Sequence, residues 1–239
     1  MSPATRLLAA LALVAAGLSA GPAQALEPFV ANYQVLRGGR TLGEATMQVV
    51  RGDAGRWRVD LGMRGTGLIG LAGINAEQST AFDQVGETYR PLTQGTLRRT
   101  LFTRKQTTGT YDWRLLRARW TGDVKATRRA PVALQAGDMS GLLINLALVR
   151  DAAPGRQLNY RFVDGGRVRD HAYLVAGAPE RVDLGELSYQ ALRVSRTNGG
   201  NDETILWVAS GVPTPVRILQ RTDGEDAIDL RLVEYRGTP

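Results

Sequence analysis

The stretch DMSGLLINLALVR, Asp138 to Arg150, decides how this sequence folds. Its pattern predicts a helix, because Leu142, Leu146 and Val149 fall on one face at about 100° per residue. No charge lies between its two ends, and a helix that is apolar nearly all round must be buried or must cover something apolar. It is too short to span a bilayer, which takes about 20 apolar residues. We predict one buried helix at about 138–150, which either fills the core or plugs an apolar cavity.

The start of this helix carries two side chains that can cap it. Asp138 and Ser140 both have oxygens that accept hydrogen bonds from the free N–H groups of a first helical turn. We therefore predict structural capping roles for both residues, which favours a cap over catalysis at this position.

Almost all of the remaining sequence has the pattern of β-strands. The clearest example is the alternation of Trp57, Val59, Leu61 and Met63 with charged or small residues. Similar segments recur at spacings of about 8–12 residues, separated by turns rich in Gly and Pro. The sequence therefore predicts a mainly β fold: an antiparallel barrel or a strongly curved sheet of roughly a dozen strands around one buried helix.

The first 25 residues have the pattern of a secretory signal peptide. Arg6 precedes an apolar run from Leu7 to Leu18, and Ala23-Gln24-Ala25 is a small-x-small cleavage signal. The apolar run is short for a membrane anchor, which is the alternative. We predict cleavage near Ala25/Leu26, a single β-rich domain at 26–239, no transmembrane span after cleavage, and a periplasmic location, since the chain has no Cys and more Arg than Lys.

Composition limits the possible partners and chemistry. With no Cys and one His, the chain offers no His/Cys metal motif, and it contains no phosphate loop or dinucleotide fingerprint, so no metal or cofactor is predicted. The formal net charge is +7, which is compatible with an anionic surface such as lipid headgroups, lipopolysaccharide or acidic glycans. The arginines alternate with apolar residues, as in Arg56-Trp57-Arg58-Val59, which is equally typical of solvated strand faces. Nucleic acid is not an expected partner of an exported protein.

Two regions besides the helix are candidates for ligand contact. The apolar segment GTGLIGLAG, residues 65–73, is either a bend with packing residues or a mobile lip that offers Leu68, Ile69 and Leu71 to a ligand or membrane. Trp207 alternates with other apolar residues, which is typical of core packing. Arg217 could instead be an inward cation that meets an anionic headgroup. The candidate ligand-binding residues are Leu68, Ile69, Leu71, Leu142, Leu146, Trp207 and Arg217.

Signals for catalysis are weak in this sequence. His171 has no Gly-x-Ser-x-Gly nucleophile elbow to accompany it, and Ser140 is the only serine in a notable setting. A glycosidase-type carboxylate pair could be drawn from Glu44, Glu77, Asp138 and Asp183, but a chain of this length offers as many by chance. No catalytic residue is assigned, and the balance favours a protein that is not an enzyme.

Several short motifs follow one another in a recognisable order. They are Tyr33-Gln34-Val35, Gly43-Glu44-Ala45, Asp138-Met139-Ser140, Val182 to Leu187, Trp207-Val208-Ala209, Pro215-Val216-Arg217-Ile218 and Leu230 to Tyr235. In this order they resemble the exported bacterial family catalogued as domain of unknown function 3108. The loop Ser210 to Thr214 departs mildly from the family pattern, in which a Ser or Asp follows the Trp segment more closely. The resemblance implies an antiparallel β-fold in the cell envelope, and it implies no activity.

Three functions are compatible with these observations. The leading hypothesis is a non-catalytic binding or carrier module for an apolar or amphipathic envelope ligand, which requires a cavity with apolar walls. The second is an envelope glycan-active enzyme, which requires two carboxylates about 5–10 Å apart in a polar groove. The third is an assembly factor that binds another envelope protein along a long exposed sheet edge.

Overall fold

The computed structural model describes residues 26–67 and 75–237, which form one sheet of 16 strands and one α-helix. The strands are β1 Phe29–Arg37, β2 Arg40–Arg51, β3 Trp57–Gly65, β4 Asn75–Val85, β5 Thr88–Arg99, β6 Arg104–Asp112, β7 Arg117–Gly122, β8 Val132–Ala133, β9 Asp138–Met139, β10 Gln157–Asp164, β11 Arg167–Val175, β12 Glu180–Leu184, β13 Leu187–Arg196, β14 Asp202–Ala209, β15 Arg217–Thr222 and β16 Glu225–Gly237. The helix is α1, Gly141–Asp151, and single 3-10 turns lie at Asp53–Gly55 and Ala126–Arg128. The fold is mainly β with one helix, as predicted. The strand count exceeds a dozen partly because two-residue strands such as β8 and β9 are too short to show a period.

The sheet is a meander whose first and last strands pair. Its order is β8-β7-β6-β5-β4-β3-β2-β1-β16-β15-β14-β13-β11-β10-β9, with β12 paired to β13. The pairing is antiparallel except between β9 and β10. Among the described residues, the two edge strands β8 and β9 do not pair with each other, so the sheet is strongly curved but not a closed barrel. The prediction of a barrel is corrected to that extent.

The two edges nevertheless lie close together, because residues 134–137 alone connect β8 to β9. Four linking residues span at most about 17 Å. We call the gap between β8 and β9 the seam. Across it, the Tyr111 hydroxyl of β6 donates a hydrogen bond to the Val163 carbonyl of β10 at 2.7 Å. Tyr111 also packs edge-on against Trp120 at a centroid distance of 5.5 Å, which gives the seam an apolar cluster of its own.

The helix begins at the seam, three residues later than the sequence predicts. Ser140 is its N-cap: the Ser140 Oγ accepts a hydrogen bond from the Leu143 N–H at 3.4 Å and lies 2.9 Å from the Thr80 hydroxyl. Asp138 is not a cap, because it lies in β9 and its carboxylate is used elsewhere. That carboxylate accepts from the Gln135 N–H at 2.8 Å and pairs with Arg161.

The inside of the curve is filled by α1 and by the inward side chains of the sheet. Leu142, Leu143, Ile144, Leu146, Ala147 and Leu148 of the helix are buried. The helix contacts β3, β4 and β5 on one side and β10 on the other, which joins the two halves of the sheet through one core. The largest side chains of that core that are buried almost completely are Tyr33, Phe29, Phe82, Met47, Leu143, Ile144, Leu148, Leu206 and Leu232.

Candidate functional site

A cleft of about 720 Å³ opens at the end of the molecule where α1 ends. It lies between the last turn of the helix, the residues that lead into β1, the first residues of β5 and the loop after β14. Its apolar wall consists of Leu26, Pro28, Phe29, Leu146, Val149, Ala152, Pro179, Leu192, Val208, Ala209, Val212 and Pro213. Its polar or aromatic-polar groups are Glu27, Tyr89, Arg150, Gln190, Ser210 and Tyr235, and Gly211 and Gly237 complete the lining. This volume and this balance are typical of small-molecule sites.

Arg150 is the only cation among the described residues that line the cleft, and its position is fixed on several sides. Its guanidinium makes two hydrogen bonds to the Asp151 carboxylate, at 2.7 and 2.8 Å. The guanidinium carbon lies 4.8 Å from the centroid of the Tyr89 ring, and Nη1 donates to the Glu87 carbonyl. The Tyr160 hydroxyl also donates to Asp151, at 2.9 Å. Such a bidentate, stacked arginine keeps little rotational freedom.

The electrostatics of this pair keep both partners charged. The hydrogen bond to Asp151 raises the pKa of Arg150. Burial alone would raise the pKa of Asp151, but hydrogen bonds from Arg150 and Tyr160 lower it below its ordinary value. Arg150 therefore lies beside the apolar wall of the cleft, and Asp151, which is not a lining residue, neutralises its charge. That arrangement can orient the polar end of an amphipathic molecule.

Of the candidate residues predicted on the helix, one borders this cleft. Leu146 is 3% exposed and contributes to the wall. Leu142 is buried in the core and does not line the cleft. Leu68, Ile69 and Leu71 lie outside the described residues. The strands that flank their segment meet at the opposite end of the sheet from the cleft, since Asn75 pairs with Arg99 at the far end of β5.

Trp207 and Arg217 form a structural pair away from the cleft. They are cross-strand neighbours on β14 and β15, and the Arg217 guanidinium lies 4.8 Å from the centroid of the Trp207 ring. Arg217 makes two hydrogen bonds to the buried Asp229, at 2.8 and 2.9 Å, and the Trp207 indole donates to Glu180. Neither residue lines the cleft. Arg217 therefore contacts Trp207 and Asp229, and its predicted contact with a ligand headgroup stays a prediction.

The four candidate carboxylates do not form a pair in this cleft. Asp138 is fully buried against Arg161, and Asp183 is exposed beside Arg181. Glu44 and Glu77 do line a common groove of about 500 Å³ over β2, β3 and β4. Their strands are separated by β3, so their Cα atoms lie about 10 Å or more apart.

Sequence reasoning missed most of the cleft because its wall is assembled from distant parts of the chain. Phe29, Tyr89, Leu192 and Val212 come from four strands or loops whose local patterns show only strand or turn. One local signal did exist: Arg150 is the first charge after the uncharged helix, so it marks where the apolar surface ends.

A family model described as protein of unknown function, DUF3108, matches residues 30–231. The chain belongs to the DUF3108 family. The match runs from β1 into β16 and includes α1 and most of the cleft wall. No curated protein matches the chain.

Two solved structures are similar to this DUF3108 chain at 10% sequence identity. One is a β-barrel-like protein of domain of unknown function DUF1849 from Brucella abortus, with a TM-score of 0.46 over 90% of this chain and 99% of that chain. The other is a DUF1089 family protein from Pseudomonas aeruginosa, with a TM-score of 0.38 over 72% of this chain and 87% of that chain.

The sheet edges of the DUF3108 chain are short or charged. The edge strands β8 and β9 have two residues each, and the five-residue β12 exposes Arg181 and Asp183. Short and charged edges discourage strand addition by another chain. Within residues 26–67 and 75–237, no helix is long and apolar enough to cross a membrane, and no group of three His, Asp or Glu side chains is arranged to hold a metal ion.

His171 lies in β11, where its ring stacks on Phe162 with a centroid distance of 4.6 Å and an interplanar angle of 9°. Its Nδ1 is 3.4 Å from the Tyr173 hydroxyl. Burial, and then the charges of Arg196 and Arg169, lower the pKa of His171 from 6.5 to about 4. The ring is therefore neutral at pH 7 and packs as an aromatic side chain.

This lowered pKa predicts a loss of stability in mild acid. Below pH 6.5 the unfolded chain binds a proton at His171 that the folded chain does not bind until about pH 4, so stability falls as pH falls through that window. Between pH 7 and pH 4, the free energy of unfolding of His171→Gln should fall by about 1–2 kcal/mol less than that of the wild-type chain, which allows for solvent screening of the half-exposed ring. Urea unfolding at several pH values from 4 to 7 measures it. Parallel curves for the two proteins would show that His171 does not contribute.

Proposed function

We propose that this DUF3108 protein is a non-catalytic binding or carrier module for an apolar or amphipathic ligand of the cell envelope. The observation that supports this is the cleft at the end of α1, which has a set of apolar lining residues and, among the described residues, one cation, Arg150. An apolar pocket with a few convergent polar groups is the arrangement that binds small amphipathic molecules.

The chemistry of the wall describes the ligand. Eleven of the twenty described lining residues are aliphatic or proline, so the body of the ligand is apolar and gains affinity by leaving water. Its polar end lies at Arg150, whose guanidinium is already held in place by Asp151. Among the described lining residues, Ser210 has no histidine beside it in the wall, and Glu27 is the only carboxylate. This composition supports binding more than acyl transfer or glycoside hydrolysis.

We place this function in the periplasm, after removal of residues 1–25. In that form the chain would begin at Leu26, which itself lines the cleft. Native mass spectrometry of protein purified from the periplasm tests both parts of the proposal. The mass of the chain gives the cleavage site, and an additional mass that organic solvent extracts gives the ligand. A protein that carries nothing and binds no hydrophobic fluorescent probe would contradict the carrier function.

Filling the cleft should abolish binding without unfolding the protein. Ala152 lines the cleft just after α1, and we expect Ala152→Trp to weaken binding of a hydrophobic probe by at least tenfold because the indole occupies ligand space. The matched control is Ala153→Trp, one residue later, where the side chain is exposed and outside the cleft. Probe titration and thermal melting of both variants are the measurements. Equal binding by the two variants would place the ligand elsewhere.

A further inference from the structure

The tip of the β5–β6 hairpin exposes two large apolar side chains. Leu101 is 62% exposed and Phe102 is 93% exposed. The turn that presents them is tightly held: the Thr100 N–H donates to the Thr103 carbonyl at 2.9 Å, and the Thr103 N–H donates to the Thr100 hydroxyl at 3.1 Å. The two side chains are therefore held out in solvent by a defined turn. Apolar exposure at this level usually marks a contact surface.

Four cations flank the same tip. Arg98 pairs across the ladder with Lys105, and Arg99 pairs with Arg104, so like charges lie directly opposite each other in two successive pairs. All four side chains are exposed. In the described part of the chain, no salt bridge joins any of them to a carboxylate. Like charges in direct opposition destabilise a strand pair, so this arrangement gains energy only from an anionic partner.

The hairpin tip lies far from the ligand cleft. The 12-residue strand β5 begins beside Tyr89, which lines the cleft, and ends at Arg99. At about 3.3 Å per residue the strand spans roughly 35 Å. A surface that is occupied at the tip therefore leaves the cleft accessible at the other end of the molecule.

We propose that residues 98–105 dock the protein on an anionic lipid bilayer. Phe102 and Leu101 enter the interface between headgroups and acyl chains, while the four cations bind lipid phosphates. The tip is a narrow turn with two apolar residues at its end, then Thr100 and Thr103, and then four basic residues. That order matches the layering of an anionic leaflet, in which apolar chains lie beneath negative headgroups. A protein partner would have to supply a deep apolar pocket with an acidic rim to match it.

Co-sedimentation with vesicles tests this proposal. We expect binding to vesicles of phosphatidylcholine mixed with phosphatidylglycerol, and little binding to phosphatidylcholine alone. Each cation near an anionic surface strengthens association about fivefold, so Arg98→Gln with Arg99→Gln should weaken binding about 25-fold. Raising the salt concentration should weaken binding by the wild-type chain in the same direction. The variants keep the fold because all the changed side chains are exposed, which far-UV circular dichroism checks.

Two further variants distinguish membrane docking at this tip from a general polyanion site and from docking at the other end of the molecule. Leu101→Ser with Phe102→Ser should lose at least tenfold in vesicle binding while all cations remain. Leu115→Ser with Leu116→Ser is the matched control, since these leucines are 68% and 54% exposed at the β6–β7 turn, at the cleft end of the sheet. If the control loses binding instead, the other end docks and the proposal is wrong. It is also wrong if the Leu101/Phe102 variant binds as well as the wild-type chain, because the cations then form a general polyanion site.

Discussion

Replacing Arg161 by Leu will lower the free energy of unfolding by about 3–5 kcal/mol, because it leaves a buried carboxylate without its cation. Asp138 has a fully buried side chain, and the Arg161 Nη1 lies 2.5 Å from both of its carboxylate oxygens. The only other donor to that carboxylate among the described residues is the Gln135 N–H. One backbone hydrogen bond does not offset the desolvation of a full negative charge.

Urea unfolding measures this effect, and the chain offers a matched pair as control. Arg181 and Asp183 form a similar ion pair, at 2.8 Å, with side chains that are 68% and 61% exposed. Arg181→Leu should leave the free energy of unfolding almost unchanged, because exposed ion pairs contribute little to stability. Adding Asp138→Asn to Arg161→Leu should recover part of the loss, since the buried group is then neutral. Equal losses for Arg161→Leu and Arg181→Leu would show that the seam does not depend on this pair.

The size of this effect follows from where the pair lies. β8 and β9 are not joined by a ladder, so the seam depends on side chains and on residues 134–137. The Asp138 carboxylate accepts hydrogen bonds from Gln135 in the linker and from Arg161 in β10, so it connects these two segments. Asp138 also lies two residues before Ser140, the N-cap of α1, so the ion pair holds the start of the helix at the seam.

This corner shows what the sequence could and could not predict. Local patterns predicted the strands well where one face is buried, as at Trp57, Val59 and Leu61, which alternate in the core. They also predicted a single buried helix, because an uncharged helical face has no stable alternative to burial. They assigned Asp138 to the wrong role, since an aspartate before a helix is favourable as a cap, and its actual partner lies 23 residues away in β10.

The candidate site was less predictable than the fold for a related reason. Leu146 was found because it belongs to the helix, whose burial is a local property. The rest of the wall reaches Leu146 only after β1 pairs with β16 and the meander bends, as for Leu26, Leu192 and Val212. This is a long-range property of the sheet. Arg217 looked like a ligand contact because a cation between Val216 and Ile218 is conspicuous in sequence. Its partner Asp229, on the next strand, could not be identified without the register.

Replacing Leu146 by Asp will unfold the protein at room temperature, because an ionised carboxylate would replace a core side chain that is 3% exposed. Val149, one turn later on the same helix, lines the cleft but is only partly buried. At that position a carboxylate can reach water through the cleft and lies beside Arg150. We expect Val149→Asp to stay folded and to lose binding of a hydrophobic probe.

Thermal melting by circular dichroism and probe titration of the two variants distinguish a core helix from a lid. If α1 is a core helix, Leu146→Asp unfolds, whereas Val149→Asp stays folded and does not bind the probe. A lid could swing away from the sheet, so Leu146→Asp would then keep a cooperative melting transition near that of the wild-type chain and lose only the probe. The contacts of α1 with β3, β4, β5 and β10 favour the core helix, because a helix packed on both halves of the sheet cannot leave without opening the seam. On this view the cleft meets α1 only from Leu146 onward, and the rest of the apolar surface of the helix holds the curved sheet together.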